Sequence, residues 1–388
     1  MACNKCKNRN ENFGIALRLF SKRRPLCVSE LRGSRQLNDT RQAAYLTSGA
    51  SRLIIRRSQR YTVGYHMLKL GSIQLDIPII QAAMSGYSDR AMRLLAREFT
   101  APLTFTGAIL AKNCLQPSVL RKTIFVPHDD EHPVGAQLVG EDAIIMARAA
   151  AALENLGYDL IDLNFACPVH KVVRRRRGGF LMQHPKELIE ILRHVRKAVS
   201  CPVLIKLRSG FDKTAESRDK FWQICENAVD SGVDALVIHG RTVEQLYRGQ
   251  ADWDILAEVK RRLPQVPLIG SGNIFTAETV LEKLKSQTVD GVAIARGAVG
   301  NPWIFAETRA LLEERNKPPD PDLAEQAAVI RHHLDMVQDL YEERKAITYF
   351  RKFAAGYVRR HPERKTTLLG FMACKTRADV EAVITQSY

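Results

Sequence analysis

The feature that most limits the fold of this chain is a series of eight short apolar segments that begins near residue 77. Each is rich in Val, Ile and Leu with little polar alternation, which is typical of strands buried on both faces of a parallel sheet. Amphipathic stretches between most of them predict helices, so the pattern indicates a (β/α)8 TIM barrel. An open, doubly wound sheet is the alternative, but no G-x-G-x-x-G follows the first segment. The predicted strands are 77–83, 102–106, 134–139, 159–165, 202–208, 234–240, 266–272 and 290–297.

The chain changes character after the last predicted strand. A further helix, NPWIFAETRALLEER, is followed by three prolines in NKPPDPD, which end it. Residues 321–388 then predict a small C-terminal helical bundle. We therefore expect a barrel over 67–315, a bundle over 321–388 and a preceding extension over 1–66.

The basic charge of the chain is concentrated in this extension. Residues 1–60 hold 14 Lys and Arg against three acids, or +11 of the total of +16. The extension lacks steady apolar periodicity, which predicts disorder. It has the composition of a targeting peptide, but we favour a dispensable extension.

The remaining composition excludes several classes of protein. No apolar run of about 18 residues occurs, which argues against a membrane protein. The eight cysteines have no framework spacing, so we expect reduced thiols in a cytoplasmic protein. We also expect a monomer. No His-rich metal spacing or Walker loop is present, and we expect no metal site.

Polar residues gather at the carboxyl ends of the predicted strands, where barrel enzymes place their sites. Any one of them has a structural explanation, but their common location favours a functional one. They are Met84, Gln137, Asn164 with Cys167, Lys206, His239, Ser271-Gly272-Asn273 and Ala295-Arg296-Gly297.

The last two of these turns suit a phosphate group. Gly272 allows close approach of a backbone N–H, Asn273 offers an amide, and Arg296 offers a fixed fork for phosphate oxygens. A flavin mononucleotide and a sugar phosphate are both compatible with them. Lys206 favours the flavin, because a cation near its pyrimidine edge would stabilise the reduced ring.

The segment DLNFACPVHKVVRRRRGGFLM places Cys167 directly after a predicted strand. Free cysteines are usually buried apolar residues, but the following proline and cationic loop favour exposure. The thiol suits either a nucleophile, with His170 as its base, or an acid with an unperturbed pKa of about 8.5. Nearby arginines would lower that value, so the sequence leaves the direction of the shift open.

The C-terminal bundle contains a basic helix face. Lys345, Lys352 and Arg359 recur every seven residues, and Ile347, Phe350, Ala354 and Tyr357 lie roughly opposite, where they can pack into a core. A solvated face is the simpler interpretation, but the surrounding basic residues favour an RNA backbone as its partner.

From about residue 67 to 375, these motifs resemble the tRNA-dihydrouridine synthases. The resemblance includes MSGYSDRAMR, VGAQLVG, the Asn-x-x-Cys-Pro loop, LIKLRSGFD, VIHGRTVEQLYRGQADW, PLIGSGNIFT and ARGAVGNPWIF. It implies an FMN-containing barrel and a helical domain that together hold tRNA. By resemblance, the flavin-contacting positions are Ala83, Met84, Ser85, Gln137, Lys206, His239, Ser271, Gly272, Asn273, Ala295 and Arg296.

The resemblance also implies a mechanism. NADPH reduces the flavin, hydride passes from flavin nitrogen 5 to carbon 6 of a flipped-out uracil, and Cys167 protonates carbon 5. Asn164 corresponds to a residue lining the uracil site. The other expected tRNA-binding side chains are Lys171, Arg174, Arg177, Arg241, Lys345, Lys352 and Arg359.

The chain departs from the family pattern at several positions. Ala83 replaces a proline, Gly107 a frequent glutamate, Ser271 an asparagine and Ala295 a glycine, and Phe165-Ala166 replaces a tighter pair. These changes leave Cys167 and Lys206 in place. Two alternatives remain open: an FMN barrel that reduces a small molecule, and an RNA-binding barrel without activity.

Overall fold

The computed structural model describes residues 67–122 and 125–388. The predictions for residues 1–66 lie outside this part of the chain. No helix in the described ranges is long and apolar enough to cross a bilayer.

The eight predicted strands form one parallel sheet that closes into a barrel. Neighbouring strands pair in the order β3, β11, β10, β9, β8, β7, β6 and β4. The Gln81 amide donates to the Leu103 carbonyl over 2.9 Å, which connects the first barrel strand to the second. The barrel strands are β3 (Ile79–Gln81), β4 (Thr104–Phe105), β6 (Val134–Val139), β7 (Leu160–Asn164), β8 (Val203–Arg208), β9 (Ala235–His239), β10 (Leu268–Ser271) and β11 (Gly291–Ile294). The prediction of a TIM barrel is confirmed.

Three short strands were not predicted. A hairpin of β1 (Leu68–Leu70) and β2 (Ile73–Leu75) packs Leu68, Leu70 and Leu75 with the barrel's interior residues. Leu68 also contacts Gly291, at the start of β11. The hairpin therefore closes the amino-terminal end of the barrel. The third strand, β5 (Ile109–Leu110), pairs with the end of β6, so the second barrel strand is interrupted at residues 106–108.

Helices pack around the barrel as the amphipathic pattern predicts. Asp89, Asp142, Thr214 and Thr276 cap α1, α4, α7 and α9 through their side chains. The helices up to the end of the barrel are α1 (Arg90–Glu98), α2 (Ala111–Cys114), α3 (Pro117–Leu120), α4 (Ala143–Asn155), α5 (His170–Val173), α6 (Pro185–Ala198), α7 (Ala215–Asp230), α8 (Asp254–Arg262), α9 (Ala277–Lys285) and α10 (Trp303–Leu312).

The C-terminal helical region consists of α11 (Leu323–Leu340), α12 (Glu343–Tyr357), α13 (Arg364–Ala373) and α14 (Arg377–Ser387). Ile347, Phe350, Ala354 and Tyr357 are buried, which confirms the predicted packing face of α12. The region contacts the barrel through Tyr349, whose hydroxyl donates to the Tyr87 carbonyl over 2.8 Å. Glycine is required at position 356, since a Cβ there would lie 1.8 Å from the Val299 carbonyl oxygen. The exact division at 315 and 321 stays a prediction.

Candidate active site

Side chains of alternating residues point into the barrel, and this alternation builds the site. The inner core of the barrel contains Leu160 of β7, Leu204 of β8 and Val237 of β9. Residues two or four positions later on the same strands therefore also face inward, toward the open carboxyl end. These are Asp162 and Asn164 on β7, Lys206 and Arg208 on β8, and His239 on β9. The register sets Asn164 beside Lys206, and Arg208 beside His239.

A chain of hydrogen bonds connects two strands, β6 and β7, to the Cys167 loop. The Gln137 amide donates to Asp162 Oδ2 over 2.7 Å, and the Asn164 amide donates to Gln137 Oε1 over 2.6 Å. Asn164 Oδ1 in turn accepts from the backbone N–H groups of Ala166 and Cys167, at 3.1 and 2.9 Å. Asn164 therefore fixes the turn that carries the cysteine.

Cys167 is a free, half-buried thiol. Burial raises its pKa above the ordinary value, and it outweighs the lowering by the Val169 backbone N–H and by Arg208. The structure thus decides the direction that the sequence left open. The thiol stays protonated at neutral pH, which suits a proton donor better than a nucleophile.

Two charged groups lie within the barrel near this loop. Burial lowers the pKa of Lys206, while Asp162 acts in the opposite direction and Arg208 adds to the lowering. Burial raises the pKa of Asp162 to about 6, despite its bond from Gln137 and the charge of Lys206. Asp162 and Arg208 were not predicted as site residues. Asp162 lies two residues from Asn164, and Arg208 two residues from Lys206, on the same strands. Their side chains therefore also face inward, and this spacing is the signal that identifies them.

His239 is neutral. Burial is the main cause that lowers its pKa to about 2, and the neighbouring cations Arg208, Lys206, Arg241 and Arg296 contribute. Arg241 Nη1 lies 3.3 Å from His239 Nε2. Because a guanidinium only donates, Nε2 is the acceptor and the ring proton belongs on Nδ1.

The turns after β10 and β11 form a pocket with one cationic side chain, Arg296, and we call it the cationic pocket. Its lining includes His239, Ser271, Gly272, Asn273 and Arg296. Gly272 has a φ of +129°, and a Cβ there would lie 2.5 Å from the Ala251 Cβ. Asn273 Oδ1 accepts from Arg241 over 2.6 Å, which orients the amide. The side-chain amide of Asn273 and the guanidinium of Arg296 are N–H donors of the kind that bind a phosphate group.

We expect Gly272→Ala to weaken flavin binding at least about tenfold, since its Cβ meets Ala251 in a backbone conformation that costs alanine about 1–3 kcal/mol. The measurement is the dissociation constant for FMN by fluorescence quenching. Gly157→Ala is the control, because Gly157 also has a positive φ, +105°, but has open space around its Cβ position. Equal affinity in the two variants would contradict the assignment of this turn to the phosphate.

The remaining predicted residues occupy different environments. Ala83 and Met84 are half-buried and Ser85 is exposed at the end of the first barrel strand, and Ala295 lines the cationic pocket. Lys171 and Arg174 are exposed on the cysteine loop, so they are free to meet a phosphate backbone.

Two of the predicted tRNA-binding arginines have internal partners. Arg177 is buried and forms an ion pair with Glu141. Arg241 is 1% exposed and donates to the Arg248 carbonyl as well as to Asn273. Their predicted contacts with tRNA stay predictions.

The basic residues of the helical region lie against aromatic rings. Lys345 and Lys352 place their ammonium groups 4.5 and 4.3 Å from the ring centres of Tyr341 and Tyr349. The Arg359 guanidinium lies 5.9 Å from the ring centre of Phe275, which lines the cationic pocket. Tyr247, an exposed ring that no pattern singled out, lies beneath the guanidinium groups of Arg208 and Arg296.

The family model for dihydrouridine synthase (Dus) matches residues 80–386. The chain belongs to this family. A tRNA-dihydrouridine synthase B from Shewanella oneidensis is 34% identical over 299 residues, which cover 77% of this chain and 91% of the relative. A probable tRNA-dihydrouridine synthase from Rickettsia conorii is 33% identical over 293 residues, or 75% and 87% of the two chains. Family membership identifies the chain as an oxidoreductase and confirms the resemblance seen in its motifs.

Two solved structures share the fold at low sequence identity. Histamine dehydrogenase from Rhizobium has a TM-score of 0.52 at 14% identity, covering 71% of this chain and 51% of its own. A 2-naphthoyl-CoA reductase has a TM-score of 0.51 at 12% identity, covering 65% and 52%. At these identities the likeness supports the barrel fold alone.

Proposed function

We propose that this dihydrouridine synthase uses bound FMN and NADPH to reduce specific uridines in tRNA to 5,6-dihydrouridine, in the cytoplasm. The observation that carries the proposal is the protonated, half-buried thiol of Cys167 at the mouth that also holds Lys206 and the cationic pocket. Reduction of a conjugated double bond needs a proton donor and a hydride donor on a positioned ring.

The residues that would hold the flavin are those of the mouth. Gly272, Asn273 and Arg296 would bind its phosphate, and Lys206 and His239 would contact its ring system. When bound, the flavin supplies the hydride that uracil accepts at carbon 6. The balance is one NADPH and one proton consumed for each uridine reduced, with NADP⁺ released.

The protein's own contribution is positioning and proton transfer. The Asp162, Gln137 and Asn164 chain holds the backbone N–H of Cys167, so that the thiol has a defined direction. Cys167 gives its proton to carbon 5 of the uracil and recovers one from solvent. His239, being neutral, adds no charge to this step.

Substrate binding is proposed to involve both parts of the fold. Lys171 and Arg174 on the cysteine loop, and Lys345, Lys352 and Arg359 on the helical region, offset the cost of extruding the base by contacting phosphates. A small substrate would not require this second surface.

We expect the purified protein to be yellow and to oxidise NADPH with unmodified tRNA, forming one dihydrouridine for each NADPH consumed. The measurements are the flavin spectrum, NADPH absorbance and mass spectrometry of digested tRNA. Free uracil is the control substrate. Equal stimulation by free uracil would favour a small-molecule reductase, and tRNA binding without flavin would favour an inactive RNA-binding barrel.

A further inference from the structure

A second cavity lies at the edge of the barrel mouth, where the second barrel strand is interrupted. Thr106 and Gly107, in the gap between β4 and β5, form one side of it. Tyr341 and Tyr349 from the helical region form the other, and the space between them, which is open to solvent on one side, is about 500 Å³. Among the described residues that line it, none belongs to the cysteine loop or the cationic pocket.

Asp89 places an unpaired acceptor in this cavity. The residue is 9% exposed, and its Oδ1 caps α1 by accepting from the Met92 N–H over 3.0 Å. In the described part of the chain, Oδ2 has no hydrogen-bond partner. Burial raises the pKa of Asp89 to about 6, although the Met92 backbone N–H, the charge of Arg93 and hydrogen bonding by the hydroxyls of Tyr349 and Tyr341 act against that rise. An acceptor so placed is costly unless a ligand donates to it.

The side chains around the cavity restrict the chemistry of the ligand that it can bind. The rings of Tyr341 and Tyr349 lie 5.2 Å apart at 38°, and both present apolar surface to the space. The ammonium groups of Lys345 and Lys352 lie over these two rings. A ligand that fits has a flat ring, a hydrogen-bond donor on one edge and an anionic group on the other. The lysines disfavour a cationic amine.

We propose that this cavity binds a second nucleotide of the RNA substrate, one whose base carries an amino group. The amino group donates to Asp89 Oδ2, the base lies against Tyr341 and Tyr349, and its phosphates meet Lys345 and Lys352. A uracil base fits less well, because its two carbonyls flank the only ring donor and would face the carboxylate. The inference rests on the proposed function, since it assumes an RNA substrate.

Asp89→Asn tests the proposal, because an effect of charge alone and the loss of a bond from a base predict opposite changes in RNA affinity. Asparagine retains the cap on α1 but replaces the acceptor Oδ2 with a donor. If Asp89 acts only through its charge, its removal should strengthen RNA binding. If it accepts from a base, tRNA should bind about 5- to 100-fold more weakly, the range for a lost base contact.

The experiment measures the dissociation constant of unmodified tRNA at several salt concentrations. Asp89→Asn should weaken binding equally at every salt concentration, whereas Lys345→Met should reduce the salt slope by about one. Tyr341→Ala is the second variant, because it removes one ring of the cavity, together with a hydroxyl that interacts with Asp89, while Asp89 and its bond to Met92 remain. Asp322→Asn is the matched control, since Asp322 caps α11 with an exposed carboxylate.

Binding at wild-type strength or tighter in both Asp89→Asn and Tyr341→Ala would overturn the proposal. Flavin content and reduction by NADPH are recorded in parallel and should be unchanged. If the wild type binds tRNA but forms no dihydrouridine, the proposed function fails while weaker binding by Asp89→Asn still supports this site. The two failures are therefore distinguishable.

Discussion

Cys167→Ala is expected to abolish dihydrouridine formation, by about 10²- to 10⁴-fold, while flavin and tRNA still bind. The reason is that Cys167 is the one half-exposed thiol that the described part of the structure places at the barrel mouth, held there by Asn164. Single-turnover formation of dihydrouridine by flavin-reduced enzyme is the measurement, because it separates proton donation from reduction of the flavin.

Cys201→Ala is the matched control. Cys201 is also a free, half-buried thiol followed by a proline, but it precedes β8 and lies at the closed end of the barrel. Its loss should leave activity within about twofold. Full activity in Cys167→Ala would remove that thiol from the mechanism.

The pH dependence of the reaction follows from the protonation of the Cys167 thiol. A proton donor must be protonated, and burial raises the pKa of Cys167 above the ordinary thiol value. Single-turnover activity should therefore stay level through neutral pH and fall only as pH rises above the usual thiol range. A decline that begins below pH 8 would contradict a raised pKa.

Lys206→Met is expected to slow reduction of the flavin by NADPH by about 10²-fold and to lower the flavin's midpoint potential. Methionine preserves most of the volume but removes the cation from the barrel interior, where Asp162 is then left without its nearest positive charge. Stopped-flow absorbance and a spectroscopic redox titration measure the two effects.

Replacement of a surface lysine is the control, because it removes one positive charge from the protein but leaves Lys206 in the barrel interior. Lys220 pairs with Glu216 on the outer face of α7 at 2.6 Å, so Lys220→Met removes one positive charge far from the mouth. It should leave rate and potential unchanged. An unaltered potential in Lys206→Met would show that this lysine does not face the flavin.

Much of this architecture was predictable from local pattern. Continuous apolar runs identify strands buried on both faces, and all eight barrel strands lie within the predicted ranges. The hairpin of β1 and β2 was missed because three-residue strands carry too little periodicity to be recognised. The break between β4 and β5 was missed because its polar and small residues resemble an ordinary strand end.

The site was predictable where position along a strand decides it. Lys206 and His239 end apolar strands, and in a parallel barrel the carboxyl ends converge. Arg177 and Arg241 show the limit of such inference, because nothing in a basic motif distinguishes an arginine that meets a ligand from one that pairs with Glu141 or a loop carbonyl.

The sequence by itself determined the barrel, its order of strands and the set of polar residues at its mouth, since apolar periodicity and motif spacing are local properties. Only the tertiary structure decided the protonation of Cys167, the neutrality of His239 and the cavity around Asp89. Each of these depends on burial and on charges from segments that are distant in the sequence. These segments come close together only when the chain has folded.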